Sequence, residues 1–146
     1  MFKGSSQRAK MTPRELLDRL YLRVLGFTYQ VLGDAELAAQ ATESVFVRRD
    51  PPMDDLAVWT AAIATVRGYV ARGFVVRPLA PQSHSWQAAL LRQLAELPPM
   101  ERALLLLRYH EGLETTELAQ ILGIPERDVR KQVATARGRL LDLSQK

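Results

Sequence analysis

One segment limits the possible folds of this chain more than any other: Glu114-Thr115-Thr116-Glu117-Leu118-Ala119-Gln120-Ile121-Leu122-Gly123-Ile124-Pro125-Glu126-Arg127-Asp128-Val129-Arg130-Lys131. Its apolar positions follow a helical period, stop at a glycine, and resume after a proline. Gly123 supplies the left-handed backbone that a tight turn between two helices needs. Pro125 suits the first turn of the second helix, and Glu126 and Asp128 favour that helix's positive end. Ala119 falls where the two helices cross, and a larger side chain there pushes them apart. Leu118, Leu122, Ile124, Val129 and Val133 form an apolar seam that fixes the angle between them. The pattern specifies a helix-turn-helix.

That motif places the N-terminal part of its second helix in the major groove of DNA. Its outer face here carries Arg127, Asp128, Arg130, Lys131, Ala134 and Thr135, with Arg137 and Arg139 further along. Arg127, Arg130 and Lys131 can read guanine edges or clasp phosphates, and the residue types do not apportion those roles. The competing reading is an amphipathic hairpin with a solvated basic face. The small residue, the glycine and the seam at their required offsets favour the DNA reader. The candidate DNA-binding set is Thr115, Thr116, Arg127, Asp128, Arg130, Lys131, Thr135 and Arg137.

The rest of the chain reads as helices too. Leu17, Leu20, Tyr21, Val24, Phe27, Thr28 and Val31 recur at three-and-four spacing, predicting a helix over 13–32. Thr12-Pro13-Arg14-Glu15 has the form of a capping box, and Gly33 is a natural stop. Asp34 caps a second helix, expected to reach about Arg49, with Leu37, Ala41, Val45 and Phe46 inward; Asp50-Pro51-Pro52 breaks it. A third is expected from about Asp54 to Gly73, with Leu56, Trp59, Ile63, Val66 and Val70 inward. Past the turn-rich stretch Phe74 to Ser85, helices are expected over Trp86 to Glu96 and Met100 to Glu111, the latter packing Leu104, Leu105, Leu107 and Tyr109. Trp59 and Trp86 are expected to fill two separate cores. No strand alternation or internal repeat is present, so the fold class is all-α.

Among 146 residues, twenty are basic and sixteen acidic, giving +4, a mild excess compatible with nucleic acid but no evidence for it alone. Cysteine is absent, which excludes disulfides and thiolate chemistry. His84 and His110 lie far apart without clustered carboxylates, so no metal site is expected. No phosphate-cradling glycine loop or nucleophile motif occurs, so neither an enzyme nor a cofactor is expected. The N-terminus has no apolar run after its positive charges, and no stretch is long and apolar enough to span a bilayer. A cytoplasmic location is expected.

The segment before the motif carries a resemblance. Leu97-Pro98, Arg102, the leucine-rich Ala103 to Arg108, Tyr109, Glu111-Gly112-Leu113 and the tail Ala136-Arg137-Gly138-Arg139-Leu140 resemble region four of bacterial sigma factors, most closely the extracytoplasmic-function group. Leu32-Gly33-Asp34-Ala35-Glu36 with Val45-Phe46-Val47-Arg48, and Trp59 followed by Ile63-Ala64, are similar to region two of that group, more loosely. Residues 40–44 and Thr65-Val66 depart from the group's pattern, as does Asp128, where a threonine is usual. The resemblance implies two helical domains: 12–73 like region two and 88–146 like region four, with a linker over 74–87 and a flexible tail over 1–11. Each unit of roughly seventy residues is marginal alone, so the halves can lean on each other or on a partner.

The resemblance also implies partners. Core RNA polymerase is expected to meet Asp34, Glu36, Gln40, Glu43 and Arg48, while promoter DNA meets the second helix of the motif. Trp59 could help unstack DNA if region two keeps that task. An anti-sigma factor or companion subunit is expected as a regulator. The alternative is a sigma-like interaction module that binds such a partner without recognising promoters independently.

Overall fold

The computed structural model describes residues 12–76, 78 and 85–144. The tail over 1–11 and half of the linker, including His84, lie outside the described residues. Seven α-helices account for the architecture, with no strand among the described residues: α1 (Pro13–Leu32), α2 (Ala35–Phe46), α3 (Asp55–Ala71), α4 (Trp86–Leu94), α5 (Pro99–Leu105), α6 (Thr115–Leu122) and α7 (Glu126–Ser144). A π-helical segment, Leu106–His110, continues α5.

The helix ends follow local chemistry. Thr12 Oγ1 accepts the Glu15 N–H at 3.1 Å while Glu15 accepts the Thr12 N–H at 2.8 Å, satisfying two donors that a helix start leaves orphaned. Gly33 ends α1 in the left-handed region with φ 81°. Asp34, Asp54 and Ser85 accept the amides of Leu37, Ala57 and Ala88 at the starts of α2, α3 and α4. Helix α2 stops at Phe46, short of the expected Arg49, because Val47 leaves helical geometry before the proline pair is reached.

The three N-terminal helices form a bundle around Leu16, Leu20, Val24, Phe27, Val45, Val58, Trp59 and Val66, all buried. Burying each such side chain contributes about 1.5–3 kcal/mol relative to leaving it exposed. Trp59 is 1% exposed and meets Phe27 edge-on, with ring centres 5.6 Å apart. It fills the core and has no face free for a nucleotide base. Thr28 and Thr42 hydrogen bond to each other at 2.9 Å between α1 and α2, and both contact the Ala38 carbonyl. Thr42 is thus a core residue inside the 40–44 stretch.

The apolar core continues from this bundle into the C-terminal helices as one connected cluster that includes Leu97, Leu104, Leu107, Leu118, Val129 and Val133. Helix α5 packs on α1 and α3, and α6 packs on α3. Arg102 is the polar tie across this junction. It is 4% exposed, and its guanidinium donates to the carbonyls of Ala95 at 3.1 Å, Leu97 at 2.9 Å and Val31. Ala95 and Leu97 lie at the end of α4 and Val31 in the last turn of α1, so the cation meets the negative ends of two helices. Burial lowers its pKa from the ordinary arginine value. At the rim, Arg23 Nη2 lies 2.6 Å from Glu111 Oε1 and joins α1 to the end of the π-helical segment.

Two aromatic expectations are corrected. Trp86 is 71% exposed rather than in a second core, because the common core leaves no separate interior at the start of α4. Tyr109 is 54% exposed. The π-helical turn, in which the Glu111 N–H reaches the Leu106 carbonyl at 2.9 Å, shifts the last residues off the 3.6-residue period. Leu106 and Leu107 stay buried while Tyr109 and His110 turn outward.

Candidate nucleic-acid interface

The helix-turn-helix is built as its residues dictate. Helix α6 ends at Gly123, whose φ of 69° is left-handed and whose N–H returns to the Ala119 carbonyl at 2.8 Å. The Ile124 N–H reaches the same carbonyl at 3.2 Å, fixing the turn. Pro125 stands one place before α7, and its carbonyl accepts the amides of Asp128 and Val129. Leu118, Val129 and Val133 are buried, with Ala119, Leu122 and Ile124 packed at the edge of the cluster.

The seam turns one face of α7 outward. Arg127, Arg130, Lys131 and Thr135 are exposed, and Asp128 is half-buried. On α6, Thr116 is exposed and Thr115 half-buried. Arg127 and Lys131 form no ion pair among the described residues, so their charge is available to a polyanion. Arg130 Nη2 donates to Glu126 Oε2 at 2.7 Å, and Thr115 Oγ1 donates to the same oxygen at 2.7 Å. Thr115 therefore spends its hydroxyl inside the motif. Arg137 donates to the Tyr109 hydroxyl at 2.6 Å, and Arg139 lies 3.0 Å from Glu101, so the farther arginines brace α7 against α5 and its π-helical extension.

In the N-terminal bundle, Glu36, Gln40 and Glu43 lie exposed along one face of α2 at helical spacing. Asp34 is half-buried and caps that helix, and exposed Arg48 donates to the Ser44 carbonyl at 2.9 Å. Thr65, in the other departing stretch, bonds to the Ala61 carbonyl on its own helix.

An open groove of ≈ 430 Å³ runs between α4, the π-helical segment and α7, lined by Trp86, Leu90, Leu91, Leu106, Tyr109 and Leu140. Sequence reasoning missed it, since it assigned Trp86 and Tyr109 to the interior. It also left Arg102 without a role. The signal was present: Arg102 precedes Leu105 and Leu106 by three and four positions, which puts it on the buried stripe of α5.

These features define an all-α protein with a helix-turn-helix whose second helix turns a basic face outward. Residues 87–140 match the family model described as Sigma-70, region 4. No match to a curated protein sequence is found. Among solved structures, the chain is similar to the sigma factor RpoE in complex with the anti-sigma factor NepR from Bartonella quintana. The TM-score is 0.71 at 12% identity, over 90% of this chain and 96% of that one. It is also similar to a chain of the PhyRSL–NepR complex from Sphingomonas sp. Fr1, with a TM-score of 0.65 at 17% identity, over 90% of this chain and 88% of that one. The region 4 match covers 87–140, and the likeness to these two structures extends the shared all-α fold over the N-terminal helices. No helix among the described residues is long and apolar enough to cross a membrane.

Proposed function

We propose that this protein directs transcription initiation by binding core RNA polymerase through region two and the upstream promoter element through α7. The observation that carries the reading is the outward face of α7, where Arg127, Arg130 and Lys131 stand exposed on a helix-turn-helix whose turn and seam are fixed. Arg127 and Lys131, without an ion pair among the described residues, supply phosphate attraction, and Arg130, held by Glu126, meets a base edge. The exposed face of α2, with Glu36, Gln40 and Glu43, is the surface proposed for polymerase. Asp34 acts there by capping the helix, and Arg48 lies just beyond its end. Thr135 and Thr116 flank the reading face. Thr115 and Arg137 support it from within.

The test mixes the purified chain with bacterial core polymerase and a promoter library. Co-elution with core and initiation from a defined subset of promoters is the expected result. Failure of both overturns the proposal.

A second reading is favoured by the exposed apolar groove beside Trp86 and Tyr109: the chain binds an anti-sigma factor and is held in its closed, jointly packed form. Both solved relatives stand in complexes with a NepR protein, which supports a partner of that kind here. If a companion protein binds and initiation never follows even after its removal, the interaction-module reading replaces the first.

A further inference from the structure

Glu126 opens α7 and holds two side chains at once. Its Oε2 accepts from Thr115 Oγ1 on α6 and from Arg130 Nη2 one turn along α7, both at 2.7 Å. The two partners differ in what they can move. Thr115 is half-buried at the start of a helix packed on α3, so its hydroxyl is a fixed anchor. Arg130 has a side chain 65% exposed and is otherwise free to sample many rotamers. The carboxylate thus transfers the rigidity of α6 to the guanidinium of α7.

An acid at this place has a plain alternative role, the favourable interaction of any carboxylate with a helix N-terminus. That role needs no second helix and no arginine. It explains neither the convergence of Thr115 and Arg130 on one oxygen nor why an anion is kept on a face otherwise built for phosphates. The neighbouring cations show the contrast. Arg127 and Lys131 have no acidic partner among the described residues, as suits groups that only need to find a phosphate. Arg130 alone on the exposed face of the first two turns is pinned among the described residues.

Base recognition by arginine requires two parallel N–H donors presented edge-on to the O6 and N7 of guanine, a geometry that a freely rotating side chain must be ordered to reach. Resting on the proposal that α7 reads the promoter, we infer that Glu126 is a specificity-determining positioning residue: anchored by Thr115, it presents Arg130 to a guanine in the major groove. The same carboxylate repels the backbone, so it lowers affinity for random duplex while sharpening choice among sequences. Removing it therefore has opposite effects on the two quantities, a combination that lost folding stability does not produce.

The experiment selects binding sites from a randomised duplex library with the full chain assembled on bacterial core polymerase, for wild type, Glu126→Ala, Glu126→Gln and Thr115→Val. Affinity for a fixed random duplex is measured in parallel, with thermal melting as a control. Wild type selects a motif containing a guanine whose enrichment is lost in Arg130→Ala. In Glu126→Ala the preference at that guanine falls by about three- to tenfold, while random-duplex affinity at low salt rises by about two- to fivefold. Glu126→Gln keeps an oxygen acceptor for both partners and retains most of the preference. Thr115→Val keeps the charge, loses the anchor, and lowers the preference without raising random-duplex affinity. Unchanged base preference in Glu126→Ala, with only a shift in melting, overturns the inference and leaves α7 as the reader. A wild-type complex that enriches no sequence overturns the underlying reading and this inference with it.

Discussion

Replacing Arg102 with methionine tests whether the two halves are joined by a specific polar tie or merely by shared grease. Methionine keeps the length and apolar character of the arginine stem, so little packing is lost. What disappears is the guanidinium that serves the carbonyls of Ala95, Leu97 and Val31. A buried acceptor left without its donor costs about 1–3 kcal/mol. Three such losses do not add in full, because the carbonyls relax together and the variant no longer has a buried cation to desolvate. A net loss of about 2–4 kcal/mol follows, and a urea slope of about 1–3 kcal/mol per molar converts it into a midpoint lowered by about 1–2 M. The assay is urea unfolding of the full chain followed by circular dichroism at neutral pH. Arg102→Lys should recover little, since one ammonium cannot reach three carbonyls in the fork geometry of arginine. An Arg102→Met midpoint equal to wild type refutes the reasoning, and so does full recovery by lysine.

Four further outcomes are expected. Thr42→Val removes the hydroxyl that pairs with Thr28 and donates to the Ala38 carbonyl and should lower stability by about 1 kcal/mol, read in the same urea titration; a neutral effect contradicts the importance of that buried pair. Gly123→Ala places a Cβ at φ 69° and should cost about 1–2 kcal/mol through backbone strain alone, since no atom lies within 4 Å of the added carbon. Arg130→Ala with Lys131→Ala should weaken duplex binding and reduce the slope of log K against log salt by about 1–2; an unaltered slope removes α7 from the interface. Hydrogen bonds from Thr12 hold the Glu15 carboxyl below its ordinary value, so the cap is complete above the unfolded glutamate pKa and is lost as pH falls through the lower folded one. Amide exchange in the first turn of α1 should quicken in that acid window, and exchange that is flat across it contradicts the capping box.

Local order was legible in the chain because its causes are local. The bounds of α1 follow from Thr12, Pro13 and Gly33, each acting within a turn of the helix end. The helix-turn-helix follows from Ala119, Gly123 and the seam, whose partners lie within fifteen residues of one another in the sequence. The outward face of α7 could be read by period alone, as could the exposed face of α2. The α2 boundary and the orientation of Tyr109 could not, since each depends on a backbone departure, at Val47 and in the π-helical turn, that side-chain period does not encode.

The sequence by itself determined the helices, the turn at Gly123 and the cations that face outward on α7. Only the tertiary structure decided that the N-terminal helices and the helix-turn-helix share one core, that Arg102 closes the ends of α1 and α4 together, and that Trp86 stands outside. It also decided that Thr115 donates its hydroxyl to Glu126 across the turn. The physical reason is range. Helix propensity, caps and turns are set by neighbours along the chain, whereas each of these contacts joins groups that become neighbours only after the helices have packed. An arginine on an apolar stripe gives no hint of which carbonyls will receive it until a second helix has brought them within reach.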